Sequence, residues 1–179
     1  MNKKEIRKEY KIIRSNIAHK GVKSHKICSA LIATEKYKKS EIIALYASLP
    51  DEVDTSPIID YSLKSGKTVL LPKIEGGNKM GFYELSQEFT VNSFEIKEPK
   101  GTKKYLPKEI DLIVLPLICA DEQKNRIGFG GGYYDRYLSK YKGNTIGICF
   151  DEQISAEPLP CSEHDIKPDI ILSDKRIIR

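Results

Sequence analysis

The stretch Arg126-Ile127-Gly128-Phe129-Gly130-Gly131-Gly132-Tyr133-Tyr134-Asp135-Arg136-Tyr137-Leu138 decides how the chain is read. Four glycines fall within residues 128–132. Glycine admits positive φ and leaves no side chain between the main chain and a ligand. Beyond them Tyr134, Tyr137, Leu138 and Tyr141 recur at three and four residues, which predicts a helix that Gly143 stops. A glycine loop entering a helix gathers backbone N–H groups and the positive end of a dipole, an arrangement suited to phosphate. Arg126 adds a cation at the front; Asp135, in the first turn, complements the dipole or holds a cation that travels with the phosphate. Neither common phosphate loop is present. No Gly-Lys-Ser/Thr occurs, and a Rossmann pattern begun at Gly128 requires glycine where Tyr133 stands. The competing reading is a tight turn that packs a helix on a sheet.

Working outward, Asp111-Leu112-Ile113-Val114-Leu115-Pro116 is an apolar run of the kind buried on both faces of a parallel sheet. Thr145–Phe150 is a second. Strand, glycine loop, helix and strand make a βαβ-type unit. Further strands are expected at Glu41–Tyr46, Lys67–Lys73 and Ile170–Leu172, with an extended segment from Met80 to Leu85 after a Gly76-Gly77-Asn78 turn. Helices are expected over 3–17, 23–38 and from Asp54 or Thr55 to Lys64. The expected fold class is α/β: a three-layer α/β/α, Rossmann-like single domain over residues 1–179 with an open, mostly parallel sheet.

The 179 residues are enough for a real core, and no apolar run approaches the ~18 residues of a membrane span. The start, Met1-Asn2-Lys3-Lys4-Glu5, has no apolar signal core, so a cytoplasmic protein is expected. Cys28, Cys119, Cys149 and Cys161 are far apart, and with His19, His25 and His164 they give no metal-ligand spacing; free thiols are expected. The net charge of +5 is concentrated in residues 1–26, which hold nine Lys/Arg against two Glu. Such a segment suits a nucleic acid, a membrane surface, an anionic small ligand or plain solvation. No aromatics interleave with the charges to stack bases.

Lys3 and Arg7 lie four apart on one helical stripe, able to grip phosphate oxygens or simply to be solvated. Glu52 and Lys73 fall in loops at the carboxyl ends of predicted strands, where ligands bind in open α/β sheets. Phe82 and Tyr83 suit a flat ring or a core. Asp165 reads as a turn former.

Residues 126–135 resemble the signature of the 5-formyltetrahydrofolate cyclo-ligase (methenyltetrahydrofolate synthetase) family, an Arg-Leu-Gly-aromatic-Gly-x-Gly-Tyr-Tyr-Asp run. Further anchors fall in the family's order: Lys3 and Arg7, the Glu52 loop, and His164-Asp165. Phe94–Pro99 is similar to the family's segment before the central strand, with Phe94 as an aromatic wall. Two departures stand out. Lys124 occupies a position often held by glycine, so the turn there is expected to form through Asn125, and Phe129 replaces a more usual Tyr.

The resemblance implies cyclisation of 5-formyltetrahydrofolate to 5,10-methenyltetrahydrofolate, dependent on ATP and Mg²⁺, through an iminium phosphate, with release of ADP and phosphate. It implies ATP contacts at Lys3, Lys4, Arg7, Arg126, Ile127, Gly128, Phe129, Gly130, Gly131, Gly132, Tyr133 and Tyr134, with Arg126 catalytic. It implies folate contacts at Ala47, Glu52, Phe129, Gly130, Gly131, Gly132 and Tyr133, and Mg²⁺ at Asp135 and Asp165. No nucleic-acid or membrane partner is expected, and a monomer is. The readings left open are a sugar-phosphate isomerase or acyl-CoA transferase relative, and a nucleic-acid-binding module resting on the basic first segment.

Overall fold

Ile43, Leu45, Val69, Leu71, Leu112, Val114, Ile146 and Ile148 pack on one face of a sheet, while Ala44, Leu70, Ile113 and Leu115 pack on the other. Alternation with both faces buried is what parallel strands under helices require. The computed structural model describes residues 1–85, 89–91, 97–99 and 103–179. Its helices are α1 (Lys3–Ser15), α2 (Lys20–Ala33), α3 (Glu35–Lys38), α4 (Ser56–Lys64) and α5 (Tyr133–Leu138). Its strands are β1 (Ile42–Ala44), β2 (Thr68–Gly76), β3 (Lys79–Glu84), β4 (Phe89–Val91), β5 (Lys97–Pro99), β6 (Lys104–Tyr105), β7 (Leu112–Pro116), β8 (Cys119–Asp121), β9 (Arg126–Ile127), β10 (Asn144–Ile148), β11 (Ile154–Ser155), β12 (Ile170–Leu172) and β13 (Ile177–Ile178).

The main sheet runs β13-β12-β10-β7-β1-β2-β3-β6. Its middle, β12 to β2, is parallel; β13 at one edge and β3 and β6 at the other are antiparallel. Ile27 and Leu31 of α2 and Ile58 of α4 cover the first face, and Leu138 of α5 with Tyr141 covers the second, giving the expected α/β layering. From β1 the chain winds to β2 on one side and later to β7 on the other. The carboxyl ends of β1 and β7 are therefore a topological switch point, the usual place for a ligand crevice. β4 and β5 form a separate hairpin. β8 pairs with β9 and β11 in a second, small sheet, against which Ile6 of α1 packs beside Cys119, Ile127 and Leu159.

Several local expectations are corrected. Arg126-Ile127 is a strand, so the glycine loop is anchored by pairing to Ala120 and Cys119 before it begins. The predicted helix from 23 to 38 starts at Lys20 and breaks at Thr34, whose extended backbone (ψ 144°) lets its hydroxyl accept the Tyr37 N–H and cap α3. α5 stops at Leu138 because Lys140 and Tyr141 bond back only three residues, to Tyr137 and Leu138, a tightening that ends the spiral. The turn before Arg126 is made by Lys124 itself, in the left-handed region at φ 63°, and not through Asn125. β2 runs on through Pro72 to Gly76; β1 has ended by then, so the missing proline N–H faces no strand on that side. The Gly77-Asn78 turn has both central residues at positive φ, the hairpin geometry that matches strand twist.

Candidate active site

A cavity of about 600 Å³ opens at that switch point. Tyr46, Ala47, Leu49 and Glu52 line it from the loop after β1, and Pro116 from the end of β7. Pro72, Lys73, Ile74 and Met80 come from the β2–β3 hairpin, and Lys3, Arg7 and Lys11 from α1. Residues 126–135 and Asp165 close it.

The first turn of α1 is fixed by a capping box. Asn2 Oδ1 accepts the N–H groups of Lys4 (2.9 Å) and Glu5 (3.1 Å), and Glu5 Oε2 accepts that of Asn2 (2.9 Å). With Ile6 turned inward, Lys3, Arg7 and Lys11 follow at four-residue steps and face the cavity. Arg7 Nε donates to the Gly128 carbonyl at 2.8 Å, so the cationic stripe is docked on the glycine loop. Lys4 is exposed and lines none of the cavity.

Gly130 has φ 104°, and a Cβ there would lie 3.3 Å from the Arg7 guanidinium carbon. Both the backbone conformation and the close approach of Arg7 require glycine. Gly132, also left-handed at φ 65°, starts α5. With six residues, α5 supplies little dipole, so charge in this site comes from side chains more than from the helix expected there. Arg136 secures the loop from outside, donating to the Gly131 carbonyl (2.6 Å) and the Asn78 carbonyl (3.0 Å).

Arg126 is buried. Its Nη2 donates to Asp135 Oδ1 at 2.7 Å and its Nε to the Ile166 carbonyl at 3.2 Å, while Asp135 Oδ1 also accepts the Ile166 N–H at 3.1 Å. Asp165 Oδ2 pairs with Lys3 and accepts the Ser162 N–H at 2.7 Å. Burial pushes the Asp165 carboxyl up, but Lys3 and Ser162 outweigh it and hold it below the usual range. Glu52 is buried; burial raises its carboxyl above the usual range, against the Leu49 N–H (2.8 Å to Oε2) and Arg14 (Nη1 3.6 Å from Oε1). The Tyr134 hydroxyl is buried in the wall without a hydrogen-bond partner among the described residues, and burial raises it too.

No three His, Cys, Asp or Glu side chains gather as ligands among the described residues. Asp135 and Asp165 nevertheless line one cavity. Each engages its cation through one oxygen, so Asp135 Oδ2 and Asp165 Oδ1 accept no hydrogen bond among the described residues. Two hard oxygens fit a Mg²⁺ that keeps most of its waters and arrives on a phosphate chain, not an all-protein cage.

The structure thus brings Lys3, Arg7, Ala47, Glu52, Arg126 through Asp135, and Asp165 together, with Lys73. Tyr83 stands apart, its hydroxyl donating to Glu75 Oε1 at 2.7 Å. Phe94 lies outside the described residues. Sequence reading passed over Lys11, Tyr46, Pro72, Met80 and Pro116. Lys11 continues the Lys3–Arg7 stripe by one more step of four, and Pro116 ends a strand at its carboxyl edge; either signal was available.

A family model described as the 5-formyltetrahydrofolate cyclo-ligase family matches residues 1–174. A probable 5-formyltetrahydrofolate cyclo-ligase of Schizosaccharomyces pombe is 33% identical over 172 residues, covering 86% of this chain and 84% of the relative. The 5-formyltetrahydrofolate cyclo-ligase of Escherichia coli (strain K12) is 33% identical over 144 residues, 75% of this chain and 79% of the relative. The solution structure of Aquifex aeolicus 5,10-methenyltetrahydrofolate synthetase superposes with TM-score 0.88 at 34% identity, covering 100% of this chain and 93% of that one.

Proposed function

The chain belongs to the 5-formyltetrahydrofolate cyclo-ligase family, and from that premise we propose how its cavity turns 5-formyltetrahydrofolate into 5,10-methenyltetrahydrofolate with ATP. The formyl oxygen is a poor leaving group. Its attack on the γ-phosphorus breaks the bond to the bridging oxygen, releases ADP and leaves an iminium phosphate. The N10 lone pair then closes on the formyl carbon, the C–O bond breaks, phosphate departs with that oxygen, and the N10 proton is lost. Neither step bonds the substrate to the protein, so the chain's contribution is positioning and charge stabilisation.

Lys3, Arg7 and Arg126 face the phosphates, with Ile127, Gly128, Phe129, Gly130, Gly131, Gly132, Tyr133 and Tyr134 forming the surface beneath them. Lys4, exposed and outside the cavity lining, is left out. Arg126 stabilises the transferring phosphoryl group. Mg²⁺, when bound, neutralises phosphate charge and fixes the chain of phosphates; Asp135 and Asp165 would hold it. Glu52 accepts the N–H donors of the pterin ring, beside Ala47, the glycine loop and Tyr133, while Phe129 flanks the ring system. A monomer suffices, since these groups all belong to one chain, and a cytoplasmic setting is part of the same proposal.

The single observation that carries this reading is the docking of the α1 cations on the glycine loop, through Arg7 and Gly128, in the same cavity as a buried carboxylate. An anion end and an acceptor end thereby share one crevice. The test is absorbance of the methenyl product from purified protein, Mg-ATP and 5-formyltetrahydrofolate. Product that needs both ATP and divalent metal is expected; a protein that forms none under reducing conditions lacks this function.

A further inference from the structure

Arg14 lies one face-turn beyond Lys3, Arg7 and Lys11 on α1, and unlike them it is enclosed, 6% exposed. Its guanidinium carbon stands 5.4 Å from the centroid of the Phe129 ring in the glycine loop. Its Nη1 is 3.6 Å from Glu52 Oε1 in the loop after β1. Nε and Nη1 are buried without a hydrogen-bond partner among the described residues. A buried cation with unmet donors is a poor way to hold a fold together; an apolar side chain of similar size would serve packing better. Arg14 touches both halves of the crevice at once, the loop facing the nucleotide and the carboxylate facing the pterin.

We propose that Arg14 is a positioning residue: it aims the Glu52 carboxylate at the pterin while its face holds Phe129, so that one side chain sets both loops. This rests on the function proposed above. Glu52 is useful to the pterin N–H donors only as an acceptor, and an enclosed carboxyl tends to take up a proton. The charged and titratable groups around Glu52 are Arg14 on α1, Tyr46 after β1 and Tyr134 on α5, with Cys28 of α2 beyond Tyr46 and Arg126 beyond Tyr134. Among these, Arg14 is the cation that acts on Glu52 directly.

Calorimetric titration of 5-formyltetrahydrofolate into wild type, Arg14→Gln, Arg14→Lys, Glu52→Gln and the Arg14→Gln/Glu52→Gln double variant, from mildly acid to mildly alkaline pH, tests this. Arg14→Gln should weaken binding about tenfold or more. The loss should be greatest at the acid end and shrink as rising pH ionises Glu52. Arg14→Lys, which leaves no lone charge buried and so keeps the experiment decisive if Arg14→Gln fails to fold, should retain the wild-type pH profile. In the Glu52→Gln background the Arg14 substitution should add little. Equal, pH-independent losses in both backgrounds, or a shifted profile in Arg14→Lys, would overturn the assignment. Wild type that binds no 5-formyltetrahydrofolate refutes the proposed function; wild type that binds, with Arg14→Gln binding equally well, refutes only the role of Arg14.

Discussion

Arg126 is held from two sides before any ligand arrives, by Asp135 Oδ1 at 2.7 Å and the Ile166 carbonyl at 3.2 Å. A cation fixed in this way loses nothing to reorganisation when charge develops beside it, so its effect concentrates in the transition state. Arg126→Lys keeps the charge but not the two-sided hold. Steady-state kinetics should show kcat falling by roughly 10²–10³-fold, about 3–4 kcal/mol, with a smaller change in the KM for ATP. An equal fall in ATP affinity would make Arg126 a ground-state contact instead. The place of Arg126 in the crevice was legible from its position before the glycines. Its pairing with Asp135, nine residues on, was not, because spacing does not show how a loop folds back.

At the scale of elements, α1 forms one side of the crevice, and its orientation depends on where its first turn starts. The Asn2–Glu5 capping box fixes that start, and with it the direction of Lys3 and Arg7. Asn2→Ala should cost about 1 kcal/mol in thermal or denaturant unfolding and raise the KM for ATP, with amide exchange accelerated in the first turn. Unchanged kinetics would mean that Lys3 is held by Asp165 alone. The amphipathic period of α1 and the apolar runs of β7 and β10 were plain in sequence, since local periodicity reports burial. The pairing of β8 with β9 and β11 was not. Each is two or three residues long, and its existence depends on Cys119 and Ile127 meeting Ile6 from the far end of the chain. The left-handed Lys124 was equally hidden: the Asp121 side chain accepts N–H groups from Gln123 and Asn125 and so supports a turn that glycine would usually make.

For the whole molecule, the C-terminal edge is tied to the body through Asp151, which accepts from Arg176 Nε at 2.7 Å and from the Ser173 hydroxyl at 2.7 Å. Arg176, then Ser173 and Lys175, hold the Asp151 carboxyl below its ordinary value of 3.8 despite partial burial. A carboxyl depressed in the folded state stabilises the fold above its unfolded value, and that contribution is lost as pH falls through the folded one. Arg176→Gln should therefore lower the melting temperature near neutral pH, and the gap to wild type should close below the ordinary 3.8. A constant gap across that window would assign the effect to packing. The basic first segment also finds its place at this scale. Lys3, Arg7 and Lys11 line the crevice shared with Glu52 and the glycine loop. The most direct test of that shared crevice as a phosphoryl-transfer site follows one oxygen atom. With ¹⁸O in the formyl group of 5-formyltetrahydrofolate, turnover with Mg-ATP should deliver the label to the released inorganic phosphate; label appearing in water, with unlabelled phosphate, would contradict attack of the formyl oxygen on ATP.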